Sequence, residues 1–237
     1  MNKSKNKTRL FSALFIILVC GIGSASAAVL TFRFTGSVTF VGGTPFGLSP
    51  SVGQQVQGSF TYDTSLPPAF DTGSVAGYIQ PPPSGMSVVI SGVTLQSQGN
   101  ASLQVLNNAF GVDNINGFFI PISVGGVLQS NASYILFSLT DFSQTALSST
   151  ALPLSLNVAS FGQRQGSVFD AGSGGILNFS IDSLTAGFAG TPGFSNCHGQ
   201  SVAALAQQYG GLDAAAKALA YPSVQALQDA IRAFCRA

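Results

Sequence analysis

The sequence has no glutamate and no tryptophan, and His198 is its single histidine. Without glutamate, the commonest general acid of hydrolases is missing, and a serine triad would have to use His198. The G-x-S-x-G motif that presents the serine of many hydrolases does not occur. We expect His198 to be a polar residue beside a linker, and we predict no catalytic residue. A secreted hydrolase is therefore only the third hypothesis for the function, after the two given below.

Acidic side chains are few: the chain has eight aspartates, and those before residue 187 stand at predicted strand ends and turns. The segment Asp113–Gly117 is rich in Asp, Asn and Gly and is predicted as a hairpin-like turn. Such a turn could lend oxygens to calcium, but a calcium site needs about six to eight. Zinc needs three or four ligands, and Cys197-His198 supplies two. We expect no metal and no cofactor.

The N-terminus has the three parts of a secretory signal peptide. Four cations precede the apolar run Leu10–Ile22, and an A-x-A site ends at Ala27. Residues 1–27 are therefore predicted to be removed between Ala27 and Ala28. The apolar run has 13 residues, whereas a membrane span needs roughly 20. A lipid anchor at Cys20 is an alternative, but Val19 stands where a small residue normally precedes such a cysteine.

Removal of the signal changes the charge and the cysteine count of the chain. Five cations then face eight aspartates, which gives a net charge of −3 instead of +1. A charge-poor acidic surface lacks the clustered Lys and Arg that nucleic acid requires. Two cysteines remain, Cys197 and Cys235, and in an oxidising compartment such a pair predicts a disulfide. We expect a secreted, periplasmic or cell-surface protein without a membrane span.

Apolar and polar residues alternate with period two at the start of the mature chain. The clearest stretches, Val29–Phe40 and Gly53–Tyr62, are predicted as neighbouring antiparallel strands. Further predicted strands follow at short intervals: Met86–Ser91, Val93–Ser97, Ala101–Leu106, Gly117–Ser123, Ser133–Thr140, Leu154–Val158 and Gly175–Leu184. This pattern indicates a mainly β domain over residues 28–186, an antiparallel, jelly-roll-like β-sandwich. Prolines flank Ala69–Gln80, which we expect to leave the sheet as a mobile loop.

The composition changes at Gly187. Residues 187–196 read as a Gly/Pro/Ser linker, and residues 197–237 as a small helical unit clamped by Cys197 and Cys235. Three helices are predicted, Ser201–Tyr209, Asp213–Ala220 and Ser223–Cys235, with the first residue of each as N-cap and Gly210 as a C-terminal glycine. So small a unit buries little core, which gives the disulfide a physical purpose.

Glycan binding is the main functional alternative for an extracellular β-sandwich. Such sites present exposed aromatic rings, mostly Trp and Tyr. With no Trp, the candidates are Tyr62, Tyr78 and Tyr134, because the abundant Phe residues at alternating positions read as core. Tyr78 lies in the predicted loop before Pro81-Pro82-Pro83, and it is the predicted ligand contact.

Four stretches of the sequence resemble an exported bacterial module. These are Pro45–Leu48 and Val52–Thr64, which contains the phrase V-x-G-S-F-T-Y-D-T, together with Met86–Val93 and Ala151–Pro153, and the similarity covers roughly residues 30–186. The module is frequent in proteins with the PEP-CTERM exosortase sorting tail. The resemblance implies a surface or matrix location and supplies no catalytic residue. The Pro-Glu-Pro motif, the closing apolar span and the terminal basic cluster are missing, and the Cys197–Cys235 unit stands in their place.

These observations predict an exported, non-catalytic surface, matrix or adhesion-type protein, with an extracellular glycan-binding module as the alternative. Its expected partners are exopolysaccharide or other surface proteins.

Overall fold

The computed structural model describes residues 29–153, 156–186, 188, 195–219 and 221–236. The predicted signal peptide and most of the predicted linker lie outside these residues. The described strands are β1 Val29–Gly42, β2 Gln55–Asp63, β3 Phe70–Asp71, β4 Val75–Gln80, β5 Gly85–Ile90, β6 Val93–Ser97, β7 Ala101–Ala109, β8 Val112–Phe119, β9 Ile122–Val124, β10 Val127–Leu128, β11 Tyr134–Asp141, β12 Gln163–Asp170, β13 Gly175–Ser180 and β14 Ser183–Ala186. Three helices follow: α1 Cys197–Tyr209, α2 Leu212–Ala218 and α3 Val224–Arg236.

The strands form two antiparallel layers that share β1. Sheet A has the order β14-β1-β2-β5-β6-β9-β10, and sheet B has the order β1-β13-β12-β11-β8-β7-β4-β3. Apolar side chains of both layers meet in one core, in which Phe60 of β2 stacks on Phe137 of β11. This confirms the prediction of a mainly β, antiparallel sandwich-like fold followed by three helices.

Strand β1 passes from one layer to the other. Its first nine residues pair with β2, and its last residues, from Val38, pair with β13, with an irregularity in register between Val38 and Phe40. Gly36 lies at the crossing, where a Cβ would overlap the backbone carbonyl of Ser180. The two layers can therefore approach each other at this point only because residue 36 has no side chain.

The prediction that Ala69–Gln80 leaves the sheet is wrong. Residues 70–71 and 75–80 form β3 and β4, and β4 pairs with β7 along its whole length. Ala76, Tyr78 and Gln80 alternate inward and are buried. The flanking prolines end the segment at both sides without removing it from the ladder.

Three further predictions about strands need correction. The segment Asp113–Gly117 lies within β8, and the hairpin turn falls earlier, at Phe110-Gly111. The predicted strand Leu154–Val158 is not found: residues 154–155 lie outside the described residues, and Val158–Ser160 forms a 3-10 turn. Strand β12 was not predicted. Its first four residues are polar or glycine (Gln163, Arg164, Gln165 and Gly166), so the sequence shows no clear alternation that would identify Val168 and Asp170 as inward positions.

The helices form a small cluster with its own apolar centre, which contains Leu205, Ala215, Ala216, Leu227 and Ile231. Cys197 and Cys235 are joined as a disulfide, with a Cα–Cα distance of 5.7 Å. Gly210 ends α1 in the left-handed region, and the Ser223 hydroxyl accepts a hydrogen bond from the Ala226 backbone, as predicted. Ser201 and Asp213 are not caps, because α1 begins at Cys197 and α2 at Leu212.

Candidate functional site

Tyr78, the predicted ligand contact, lies in the core instead of in a loop. Its side chain is 5% exposed, and its hydroxyl donates to the carbonyl of Thr150 over 2.9 Å. Tyr62 is also buried and donates to the carbonyl of Pro153 over 2.6 Å. The two tyrosines therefore hold one segment, Thr150–Pro153, from both sheets, and burial raises both pKa values. The predicted loop position of Tyr78 is wrong, because the residue lies in β4 and its side chain is buried. Its role as a ligand contact stays a prediction.

Most aspartates of the sandwich hold loops through their carboxylates. Each of five accepts at least one hydrogen bond from a backbone N–H of a nearby or crossing loop: Asp63 from Ser65, Asp71 from Gly73, Asp113 from Asn108 and Leu147, Asp141 from Ser143, Thr145 and Ala146, and Asp170 from Phe46 and Gly172. The sixth, Asp182, is exposed between β13 and β14. These contacts fix loop conformation. Asp113 and Asp141 lie opposite each other in the register of β8 and β11, and both oxygens of each carboxylate already accept hydrogen bonds from backbone N–H groups.

At Asp141 and Asp170 these hydrogen bonds lower the pKa of the carboxyl group. The hydroxyl of Ser143, followed by the backbone N–H groups of Thr145 and Ser143, holds the pKa of Asp141 well below its usual range. Burial of Asp170 raises its pKa, but hydrogen bonds from Ser173, Phe46 and Gly172 outweigh that effect, and the net pKa is lowered. Both carboxyls are therefore held in the charged form that hydrogen bonding favours.

Asp113, the acid considered for calcium, is fully buried in β8. One of its oxygens accepts from the Asn108 N–H over 2.8 Å and the other from the Leu147 N–H over 2.9 Å. Both oxygens thus have protein donors. In the part of the chain that the structure describes, no three His, Cys or acidic residues are grouped as metal ligands.

His198 lies in the first turn of α1, next to the disulfide in sequence. Its Nε2 is buried and has no hydrogen-bond partner among the described residues. The aspartates of the sandwich belong to strands and loops of the other unit, and no contact joins them to His198 among the described hydrogen bonds. The structure therefore does not bring a triad together.

The solvent face of sheet A carries a groove lined by hydroxyl and amide side chains. Two adjoining clefts of about 350 and 320 Å³ share Ser59 and Ser87. We call this the polar groove; its other polar side chains are Arg33, Thr35, Gln57, Thr61, Ser84, Gln96, Ser97, Gln98, Ser183 and Thr185. Neither cleft contains a carboxylate, an imidazole or a thiol. Such a surface offers hydrogen bonds without acid–base chemistry.

The solvent face of sheet B carries aromatic rings that sequence reasoning assigned to the core or passed over. The Tyr134 ring lies between those of Phe118 and Phe169, at centroid distances of 4.9 and 5.3 Å. We call these three residues the aromatic row. All three are partly exposed, since they alternate with the buried residues of β8, β11 and β12. Within β11, Tyr134–Phe137 is apolar at both even and odd positions, so alternation alone does not show which side chains face outward.

A cleft of about 500 Å³ adjoins the aromatic row at Phe118. Its other lining residues are Ile79, Asn100, Ala101, Ser102, Ile120, Pro121 and Asn131. It again contains no acid, imidazole or thiol. The cleft combines apolar walls with a few amides and a hydroxyl, the usual composition of a small-molecule or ligand-chain subsite.

The chain was compared with protein-family models, with curated proteins and with solved structures. No match was found in any of the three comparisons. Among the described residues, the helices are too short or too polar to cross a membrane.

Proposed function

We propose that this chain is an exported, non-catalytic surface, matrix or adhesion-type protein. The observation that carries the proposal is the placement of its acids. Five of the six sandwich aspartates hold loop backbones, and the three clefts described above contain no acid, imidazole or thiol. An acid or nucleophile has to face a substrate-sized cleft to catalyse hydrolysis. A binding or structural role needs only the surfaces that the clefts provide.

Export rests on the N-terminal signal and is supported by the disulfide. Cys197 and Cys235 are close enough to be bonded, and such bonds persist in oxidising compartments. The resemblance to modules of PEP-CTERM proteins favours a location at the cell surface or in the matrix. Secreted, periplasmic and surface-bound forms are all compatible with these features.

The test is fractionation of producing cells followed by identification of what co-purifies with the mature chain. We expect the chain in the periplasmic, surface or medium fraction, together with exopolysaccharide or another surface protein. Recovery of the chain in the cytoplasm would contradict the proposal. A parallel assay for reducing ends released from the co-purified polysaccharide should show no turnover by the wild-type chain. Turnover that Asp63→Asn or Asp71→Asn abolishes would favour the hydrolase instead.

A glycan-binding module is the second candidate, and the surface chemistry of the sheets favours it. The polar groove and the aromatic row together provide hydroxyls, amides and ring faces, which are the groups that bind a polyol chain. Because Tyr78 is buried, this candidate has a different centre from the one predicted from the sequence.

A further inference from the structure

The solvent face of sheet B divides into an apolar part and a polar part. On the apolar side, the aromatic row crosses β8, β11 and β12, and Leu136 and Ile176 lie beside it at outward positions. Ile79 and Ile120 extend it at the cleft, where Ile79 is 53% exposed. The row therefore forms a band of accessible ring faces and edges across neighbouring strands.

The polar side consists of amides and hydroxyls at outward positions of β8, β11 and β12 and of the neighbouring strand β7. We call it the amide patch: Gln104, Asn114, Asn116, Ser138, Thr140, Gln163 and Gln165. The Asn116 amide donates to Asn114 over 2.7 Å, and the Asn114 amide donates to Thr140 over 2.7 Å. The first bond runs along β8 and the second crosses to β11. Together they hold these amides in fixed orientations, so a ligand would not have to order them.

The outward positions of β4, β7, β8, β11, β12 and β13 carry no charged side chain among the described residues. An anionic polymer would gain no ion pair there, and a cationic one would gain none either. The polar groove of sheet A differs in two ways, since it includes Arg33 and its polar residues come without an outward-facing ring. The face of sheet B is thus the one suited to a neutral ligand with both apolar and hydroxyl surfaces.

We propose that the aromatic row and the amide patch bind a neutral polysaccharide chain. A pyranose ring presents C–H groups on its faces and hydroxyls at its rim. The C–H faces would lie on Tyr134 and its neighbours, the hydroxyls would bond to the amide patch, and one sugar would enter the cleft beside Phe118. The inference rests on the glycan-binding candidate, which it deepens by naming the face and the charge class of the glycan.

The test uses the mature chain, residues 28–237, with its disulfide intact. The chain would be run in native gels that each contain one polymer. The neutral polymers are hydroxyethylcellulose, galactomannan and dextran, and alginate is the anionic counterpart. We expect at least one neutral polymer to retard the wild-type chain and alginate not to. Tyr134→Ala should raise the dissociation constant by roughly tenfold or more, as truncation of an aromatic anchor does, whereas Tyr134→Phe should retain most of the binding.

Two further variants keep the test decisive if Tyr134→Ala loses its fold. Ser102 is exposed and lines the cleft, so Ser102→Arg fills the cleft without entering the core. This variant should also weaken binding. The matched aromatic control is Phe110→Ala, because Phe110 is 91% exposed at the tip of the β7–β8 hairpin and belongs neither to the aromatic row and amide patch nor to the cleft, and it should bind as the wild type does.

Several outcomes would overturn the inference. The first is that no neutral polymer retards the wild-type chain. The second is that Tyr134→Ala and Ser102→Arg bind as the wild type does. The third is that only Gln57→Ala loses binding, which would place the site in the polar groove. Wild-type dimers that Tyr134→Ala dissociates in sedimentation would show that a second copy occupies the face. The extracellular, non-catalytic role is tested separately by fractionation and stands if only the gels fail.

Discussion

Phe60 of β2 and Phe137 of β11 stack across the core with their ring centroids 4.3 Å apart. Both rings are fully buried, and they join sheet A to sheet B. Phe60→Ala and Phe137→Ala should each lower the free energy of unfolding by about 3–5 kcal/mol in urea titrations, because each leaves a cavity. The double variant should lose less than the sum of the single losses, since the two rings contact each other. Phe110→Ala, at an exposed ring, should change stability by less than ~0.5 kcal/mol; equal losses at all three positions would contradict the account of the core.

Gly36 is the position at which β1 changes sheets. Gly36→Ala should destabilise the chain by about 2 kcal/mol or more, because the new methyl group overlaps the Ser180 carbonyl and the backbone has to move. Gly162→Ala is the control: Gly162 is exposed, and a Cβ there meets nothing within 4 Å. Thermal unfolding of the two variants measures the difference. Equal melting temperatures would show that the two sheets do not meet at Gly36.

Tyr78 is expected to act on stability and not on binding. Tyr78→Phe removes the hydroxyl that donates to Thr150, and it should cost about 1 kcal/mol of unfolding free energy. The same variant should run like the wild type in polysaccharide gels. If the polysaccharide retards Tyr78→Phe less than the wild type while the stability is unchanged, Tyr78 contacts the ligand after all.

Asp141 and Asp170 determine how the chain responds to acid. Their folded-state pKa values are lowered, so the stability they contribute is present above the ordinary carboxyl pKa of about 3.9 and is lost as the pH falls through the lower folded values. The melting temperature should therefore fall below about pH 4. Asp141→Asn should melt below the wild type at pH 7, and the gap should narrow towards pH 2. Asp182→Asn, at an exposed carboxyl, is the control, and a gap that stays constant with pH would be evidence against this role of Asp141.

The strands with one buried face and one solvent-exposed polar face were predictable from the sequence. In β1 and β2, apolar residues occupy alternate positions and polar residues the others, so the period identifies both the strand and its buried side. The helices were predictable for a similar reason, from their spacing and from Gly210.

The interior of β8 was not predictable from local residues. Asp113, Asn114 and Asn116 are typical turn formers, yet they lie in a strand because partners on other strands and loops satisfy them. Asn114 donates to Ser138 and Thr140 of β11, and Asp113 accepts from Leu147. These partners are distant in sequence, and only the assembled sheet brings them close.

The aromatic row was not predictable because the first half of β11, Tyr134–Phe137, is apolar on both sides. Ile135, Phe137 and Leu139 alternate with Tyr134 and Leu136, so the period gives no indication of which set faces the core. The same ambiguity led to the interpretation of all alternating Phe residues as core. Register with β8 and β12 is what places Phe118 and Phe169 on the outer face beside Tyr134.

The disulfide closes a loop around α1, α2 and α3. Cys197 and Cys235 are 38 residues apart, and closing a loop of that size stabilises by about 4 kcal/mol in the chain-entropy model. Replacing both cysteines by alanine should therefore unfold the helices at a lower temperature than the sheets, measured by circular dichroism with and without a reductant. Identical helix melting in the wild type and the variant would mean that the bond does not stabilise this unit.

The central claim, that the chain works outside the cytoplasm as an oxidised mature protein, is tested most directly by mass spectrometry. The chain should be recovered from outside the cytoplasm of producing cells and alkylated without a reductant. The account predicts an N-terminus at Ala28, no lipid, and alkylation of Cys197 and Cys235 only after reduction. A chain that retains residues 1–27, or whose two thiols are alkylated without reduction, would contradict it.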